Sequence, residues 1–130
     1  MSNYKPILCL DFDGVLHSYS TGWKGATEIP DPPTDGAMEW LKELLEEDYF
    51  DVQIYSSRSR YEGGIQAMRK WLIDNFEAVG ISDGKAYKLK FPTEKPPAFL
   101  QIDDRCICFN GEFPTFEEMK NFKPWNKRGI

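Results

Sequence analysis

The chain has 130 residues, enough for one domain that buries roughly two-thirds of its unfolded surface without staples. Its net charge of −5 argues against tight, nonspecific nucleic-acid binding, which runs on phosphate neutralisation by Lys and Arg, although a nucleotide or oligonucleotide substrate stays open. No apolar run approaches the ~20 residues of a membrane helix, and residues 1–6 lead into only four apolar ones, too few for a signal peptide, so a cytoplasmic protein is expected.

In chain order, Ile7, Leu8, Cys9 and Leu10 form a short apolar run, the pattern of a strand covered on both faces of a parallel sheet. Asp11-Phe12-Asp13-Gly14-Val15-Leu16 follows at once. It puts two carboxylates two residues apart at the strand end, and the glycine then lets the backbone turn away. Residues 14–34 hold three Gly and three Pro and little apolar periodicity, which predicts a long irregular excursion beside the two acids. Loops of that length are uncommon in small domains and usually functional.

Residues 35–47 turn helical, with Met38, Leu41, Leu44 and Leu45 on one face. Residues 51–56 have strand composition and run into Ser56-Ser57-Arg58. Ser59-Arg60-Tyr61-Glu62 matches a capping box and predicts a helix to about Ala78, with Ile65, Met68, Leu72, Phe76 and Val79 as its buried stripe. Residues 86–91 and 98–102 read as short strands kept apart by Pro92, Pro96 and Pro97. Residues 105–109 read as a last strand and 115–121 as a short helix.

Strands alternating with helices predict an α/β protein: a single Rossmann-like three-layer domain over residues 1–130 with a central parallel sheet. Right-handed crossovers gather the strand C-termini on one edge, where such sheets bind ligands. The three cysteines cannot all pair with one another. Cys9 falls in a core strand and Cys106 and Cys108 alternate in another, so all three are expected as buried free thiols in a reducing compartment. His17 is the only histidine, which argues against a zinc site and against Ser-His-Asp or Cys-His chemistry. The basic tail, Lys120, Lys123, Lys127 and Arg128, reads as a solvated segment.

The predicted edge collects Asp11 and Asp13, Ser56, Lys95 in the loop before a strand, and the pair Asp103-Asp104. Carboxylates near 4 Å repel by about 4 kcal/mol at an effective dielectric of 20, so the gathering calls for a counter-ion. A hard divalent cation such as Mg²⁺ suits a few carboxylates, several waters and a substrate phosphate. Plainer readings exist for each residue: strand-end acids, a turn serine, and a solvated lysine among Lys85, Lys88 and Lys90.

These residues resemble, in order, the four motifs of the haloacid dehalogenase (HAD) superfamily of phosphohydrolases. Asp11-Phe12-Asp13-Gly14-Val15 is similar to the first, Ser56 to the second, Lys95 to the third and Ile102-Asp103-Asp104 to the fourth, so the resemblance spans residues 7–104. It implies a Mg²⁺-dependent phosphatase whose nucleophile, Asp11, forms an aspartyl-phosphate. Asp13 would protonate the leaving oxygen and then activate water. Ser56, or its neighbour Ser57, would hydrogen-bond a phosphoryl oxygen, and Lys95 would balance the charge. The implied metal ligands are Asp11, the backbone carbonyl of Asp13, and Asp103 with Asp104 in support, the choice between the last two staying open. Gly14 would begin the family's flap and lie against the substrate, and Arg58 and Arg105 flank the site as substrate contacts or surface ion pairs.

Neither interval between motifs has room for the cap domain that many members carry. The resemblance therefore implies an open, capless site screened by the flap, with Trp23, Lys24 and residues 30–33 near the substrate. Open sites in this superfamily go with large substrates or with homo-oligomers that lend a lid. The implied substrate is a phosphorylated small molecule such as a nucleotide, or a phosphorylated nucleic-acid end, with no membrane partner. The competing expectation is a non-catalytic phosphate-binding or regulatory module on the same fold.

Overall fold

The computed structural model describes residues 4–127; residues 1–3 and Arg128 of the basic tail lie outside the described residues. Strand β1 (Ile7–Leu10) forms the middle of a small three-stranded parallel sheet, between β2 (Asp51–Ile54) and β3 (Leu100–Ile102). Leu8 lies opposite Val52 and Leu100, and Leu10 opposite Ile54 and Ile102. The architecture is α/β, an open parallel sheet with helices.

Period-two alternation gives this sheet two unlike faces. Leu8, Leu10, Val52 and Ile54 point into the hydrophobic core. Cys9 and Gln101, and past the strand ends Asp11, Tyr55 and Asp103, line a cleft instead. The core face is closed by α1 (Ala37–Glu47) and α2 (Gly64–Phe76) through Met38, Leu41, Met68, Leu72 and Phe76. These are the apolar stripes that the helical spacing predicted. The ladder runs past the strands: the Asp11 N–H donates to the Ile102 carbonyl at 2.9 Å and the Tyr55 N–H to that of Leu10 at 3.0 Å. All three strands therefore end at one edge, with acids following β1 and β3.

Five expectations need correction. Helix α2 begins at Gly64, behind a Gly63 N-cap at φ 80°, and not at a Ser59–Glu62 box. Ser59 belongs to an earlier capping box: its Oγ accepts the Ser56 N–H at 3.4 Å, while the Ser56 Oγ accepts that of Arg58 at 3.1 Å, which caps a 3₁₀ turn (Ser57–Arg60). The chain then folds back so sharply that a Cβ on Gly64 would run into the Arg58 carbonyl. Val79 sits in a 3₁₀ turn (Glu77–Val79) after the helix.

Residues 86–91 are not a strand. Helix α3 (Asp83–Lys88) buries Ala86, followed by Leu89, and only Lys90 makes a parallel bridge to Gln53 on the outer edge of β2. Residues 105–109 have no ladder partner among the described residues, and Cys106 and Cys108 are exposed free thiols, while Cys9 is buried as expected. The last helix, α4 (Phe116–Lys120), stands where it was predicted, capped by the Thr115 hydroxyl. No helix among the described residues is long and apolar enough to cross a membrane.

The excursion after Gly14 is irregular but pinned. His17 bridges both Asp13 and Pro33, the Thr34 N–H donates to the Leu16 carbonyl at 2.9 Å, and that of Ser18 to Pro32 at 3.0 Å. These bonds draw its two ends together. At its far side the Asp31 carboxylate accepts the Thr21 N–H and hydroxyl at 2.9 and 2.8 Å.

Candidate active site

Asp11, Asp103 and Asp104 bring one carboxylate oxygen each to within 4.8 Å of the others. The parallel register is the cause: β1 and β3 are hydrogen-bonded neighbours, so the acids that follow them meet at the sheet edge. Asp11 Oδ1 accepts the Phe12 N–H at 2.8 Å and Asp103 Oδ1 that of Arg105 at 3.0 Å, which fixes both side chains. Arg105 approaches as a cation, with Nε 4.0 Å from Asp104 Oδ2. Burial, then the Asp104 carboxyl pressed against it and the charge of Asp103, push Asp11 up to about 8. Asp104 is raised as well, by burial first and then by Asp103. Three carboxylate oxygens this close together could hold a metal ion. The all-oxygen donor set fits a hard divalent cation such as Mg²⁺.

Gly14 gives this cluster its room. Its φ of +84° is the left-handed region, and an added Cβ would collide with the Asp104 carboxylate. Its carbonyl accepts the Trp125 indole N–H at 2.6 Å. At Gly14 the structure shows a close backbone approach to the acids.

Beside the cluster lies a cleft of about 470 Å³, lined among others by Asp11, Asp103, Ser56, Ser57, Arg60 and Lys95. The structure thus brings together five of the residues expected there. Because the Ser56 Oγ accepts the Arg58 N–H, its own hydroxyl hydrogen is free to donate. Lys95 arrives on the connection from Lys90 to β3, which passes along the cleft side with Thr93. Sequence reasoning missed Arg60. The signal was the 3₁₀ turn itself: positions i and i+3 eclipse, so Ser57 and Arg60 share the cleft side while Arg58 turns inward.

Arg58 is accordingly not a substrate contact. It is fully buried, and its Nε donates to both Asp13 oxygens, at 3.1 and 2.9 Å. Its Nη1 holds the carbonyls of Gly25, Ala26 and Glu28 at 2.8–3.0 Å, and Trp23 stacks over the guanidinium at 5.0 Å. Trp23 is half-exposed, with Tyr61 beside it at 6.1 Å. Asp13, two residues from Asp11, therefore faces a different environment. Its carboxylate belongs neither to the acidic cluster nor to the cleft lining, and is held by Arg58 and by His17 Nδ1 at 2.9 Å.

No family model matches the chain, and no curated protein or solved structure matches it. The functional reading therefore stands on this geometry and on the four-motif resemblance.

Proposed function

We propose that this chain is a Mg²⁺-dependent phosphomonoesterase of the HAD type, a Rossmann-like, capless cytoplasmic hydrolase acting through an aspartyl-phosphate on Asp11. The observation that carries the reading is the Asp11–Asp103–Asp104 cluster opening on a cleft that also holds Ser56 and Lys95. Asp11, Asp103 and Asp104 would hold the cation, which when bound supplies charge neutralisation and Lewis-acid polarisation of a phosphoryl oxygen.

The chain's own residues do the rest. An Asp11 oxygen attacks phosphorus and the ester P–O bond breaks. Asp13 gives its proton to the leaving oxygen, then takes one from the water that cleaves the acyl phosphate and frees Asp11. The Ser56 hydroxyl and the Lys95 ammonium bind phosphoryl oxygens, and Ser57 and Arg60 extend the polar wall. The substrate class is a phosphorylated small molecule, a nucleotide among them, or a phosphorylated nucleic-acid end. A second copy of the chain lending a lid is the oligomeric form of the same reading. Exposed free thiols at Cys106 and Cys108 suit a reducing cytoplasm.

One observation favours the second reading, a phosphate-binding module without turnover: the Asp13 carboxylate is engaged by Arg58 and does not line the cleft. Release of phosphate from 4-nitrophenyl phosphate, with and without Mg²⁺, separates the two. Metal-dependent turnover that disappears in Asp11→Asn is expected. Metal-independent turnover, or full activity in that variant, refutes the mechanism. Bound Mg²⁺ with no turnover of any ester selects the binding module.

A further inference from the structure

We infer that His17, the only histidine, is a positioning residue that orients the Asp13 carboxylate through one enforced ring tautomer. The inference deepens the phosphatase reading and rests on it for its kinetic consequence. His17 is fully buried at the neck of the excursion. Its Nδ1 lies 2.9 Å from Asp13 Oδ1, and its Nε2 lies 3.1 Å from the backbone nitrogen of Asp31. A backbone N–H only donates, so Nε2 must accept with its lone pair. The proton then belongs to Nδ1, which donates it to Asp13. No other protonation state of the ring satisfies both contacts.

The Asp31 carboxylate does not disturb this assignment. Its Oδ2 is 3.6 Å from Nε2, beyond hydrogen-bond reach, and already accepts two bonds from Thr21. The ring cannot turn away either. It stacks on Phe12 at 5.7 Å and 25°, and meets Trp71 edge-on at 5.6 Å and 76°. Trp71 in turn donates its indole N–H to the Asp31 carbonyl at 3.2 Å. The Asp31 amide thus sets the imidazole, and the imidazole sets one Asp13 oxygen. Oδ1 accepts from both His17 and Arg58, whereas Oδ2 accepts from Arg58, which leaves Oδ2 the less engaged oxygen.

Two measurements test the inference. With one histidine in the chain, ¹⁵N-histidine labelling gives a single pair of ring signals. A protonated Nδ1 and a bare Nε2 are expected; an Nε2–H tautomer or a doubly protonated ring overturns the assignment. The second measurement compares His17→Asn, whose amide reaches the Nδ1 position and can still donate to Asp13, with His17→Gln, whose amide oxygen reaches the Nε2 position and can only satisfy Asp31.

Protonation of the leaving group matters for an alkyl ester and little for 4-nitrophenolate, so kcat/KM on the two esters reads Asp13 directly. His17→Gln is expected to lose about tenfold or more on an alkyl phosphate relative to 4-nitrophenyl phosphate. His17→Asn is expected to keep the wild-type ratio, although each variant forfeits one buried hydrogen bond and similar thermal stability. Equal losses on both esters in both variants would make His17 a structural residue only. Wild-type protein that turns over neither ester refutes the phosphatase reading, and the ring signals then decide the tautomer by themselves.

Discussion

Asp11 and Asp13 stand two residues apart in one short segment, yet the fold treats their charges in opposite ways. Asp11 is set among other acids, with Lys95 on the wall of the same cleft, and its proton is held up to about 8. Asp13 is given a buried guanidinium and an imidazole N–H. Compensation is built directly onto Asp13, whereas Asp11 shares its surroundings with two further carboxylates. The contrast leaves the Asp11 side incomplete, and an acidic triad of this kind could hold a metal ion.

The largest effect should come from erasing that incompleteness. Asp11→Asn is expected to reduce Mg²⁺-dependent phosphate release to background while raising the metal-free melting stability by about 1 kcal/mol or more at neutral pH, since above the ordinary carboxylate range a group whose pKa is raised by folding opposes folding. A variant both dead and less stable would show that Asp11 is compensated after all. Arg58→Met should do the reverse on the other side of the comparison. Removing one partner of a buried ion pair leaves an uncompensated charge, and a loss of about 3–5 kcal/mol in urea denaturation is expected. Asp13→Asn combined with Arg58→Met should cost less than the two losses added, because the residues contact one another.

The pH dependence sharpens the same contrast. Asp11 binds its proton more tightly in the folded than in the unfolded chain, so that stabilisation is complete below the ordinary carboxylate range. It is lost as the pH rises towards about 8. Saturating Mg²⁺ should flatten this decline, and calorimetric Mg²⁺ affinity should climb with pH over the window, by up to about tenfold per unit for each proton displaced. A metal affinity independent of pH would mean that the cation binds elsewhere. The smallest effect is expected for Gly14→Ala. Its positive φ and the collision with Asp104 should cost about 1–3 kcal/mol and weaken Mg²⁺ binding, with Asp13 undisturbed.

What the sequence made legible depended on how far each signal reached along the chain. The apolar run before Asp11 and the stripes Met38–Leu41 and Met68–Leu72–Phe76 are local patterns with one period, and they became β1, α1 and α2. Ala86 and Leu89 are three apart, a spacing shared by a helical turn and a short apolar run, and the helix won. Cys106-Ile107-Cys108 alternates like a strand, but alternation supplies no partner, and β3 offers none there. Ser59 was misassigned because a serine can serve either of two caps; the Gly63-Gly64 pair was the better sign of where the helix starts. The cluster was legible because two strand ends in parallel register had to bring their acids together. The Asp13–Arg58 pair, 45 residues apart, and the Asp31–His17–Asp13 relay have no local signature. They follow only from the path of the excursion between Gly14 and Thr34.

The Trp125 indole bond to the Gly14 carbonyl joins residues 111 positions apart. In a chain made from its N-terminus, the glycine that gives Asp104 its room waits for this contact until nearly all of these residues have been synthesised. The sheet and the Asp13 clamp need nothing beyond residue 102, so the backbone turn beside the acids is braced last, after the scaffold it depends on can already stand.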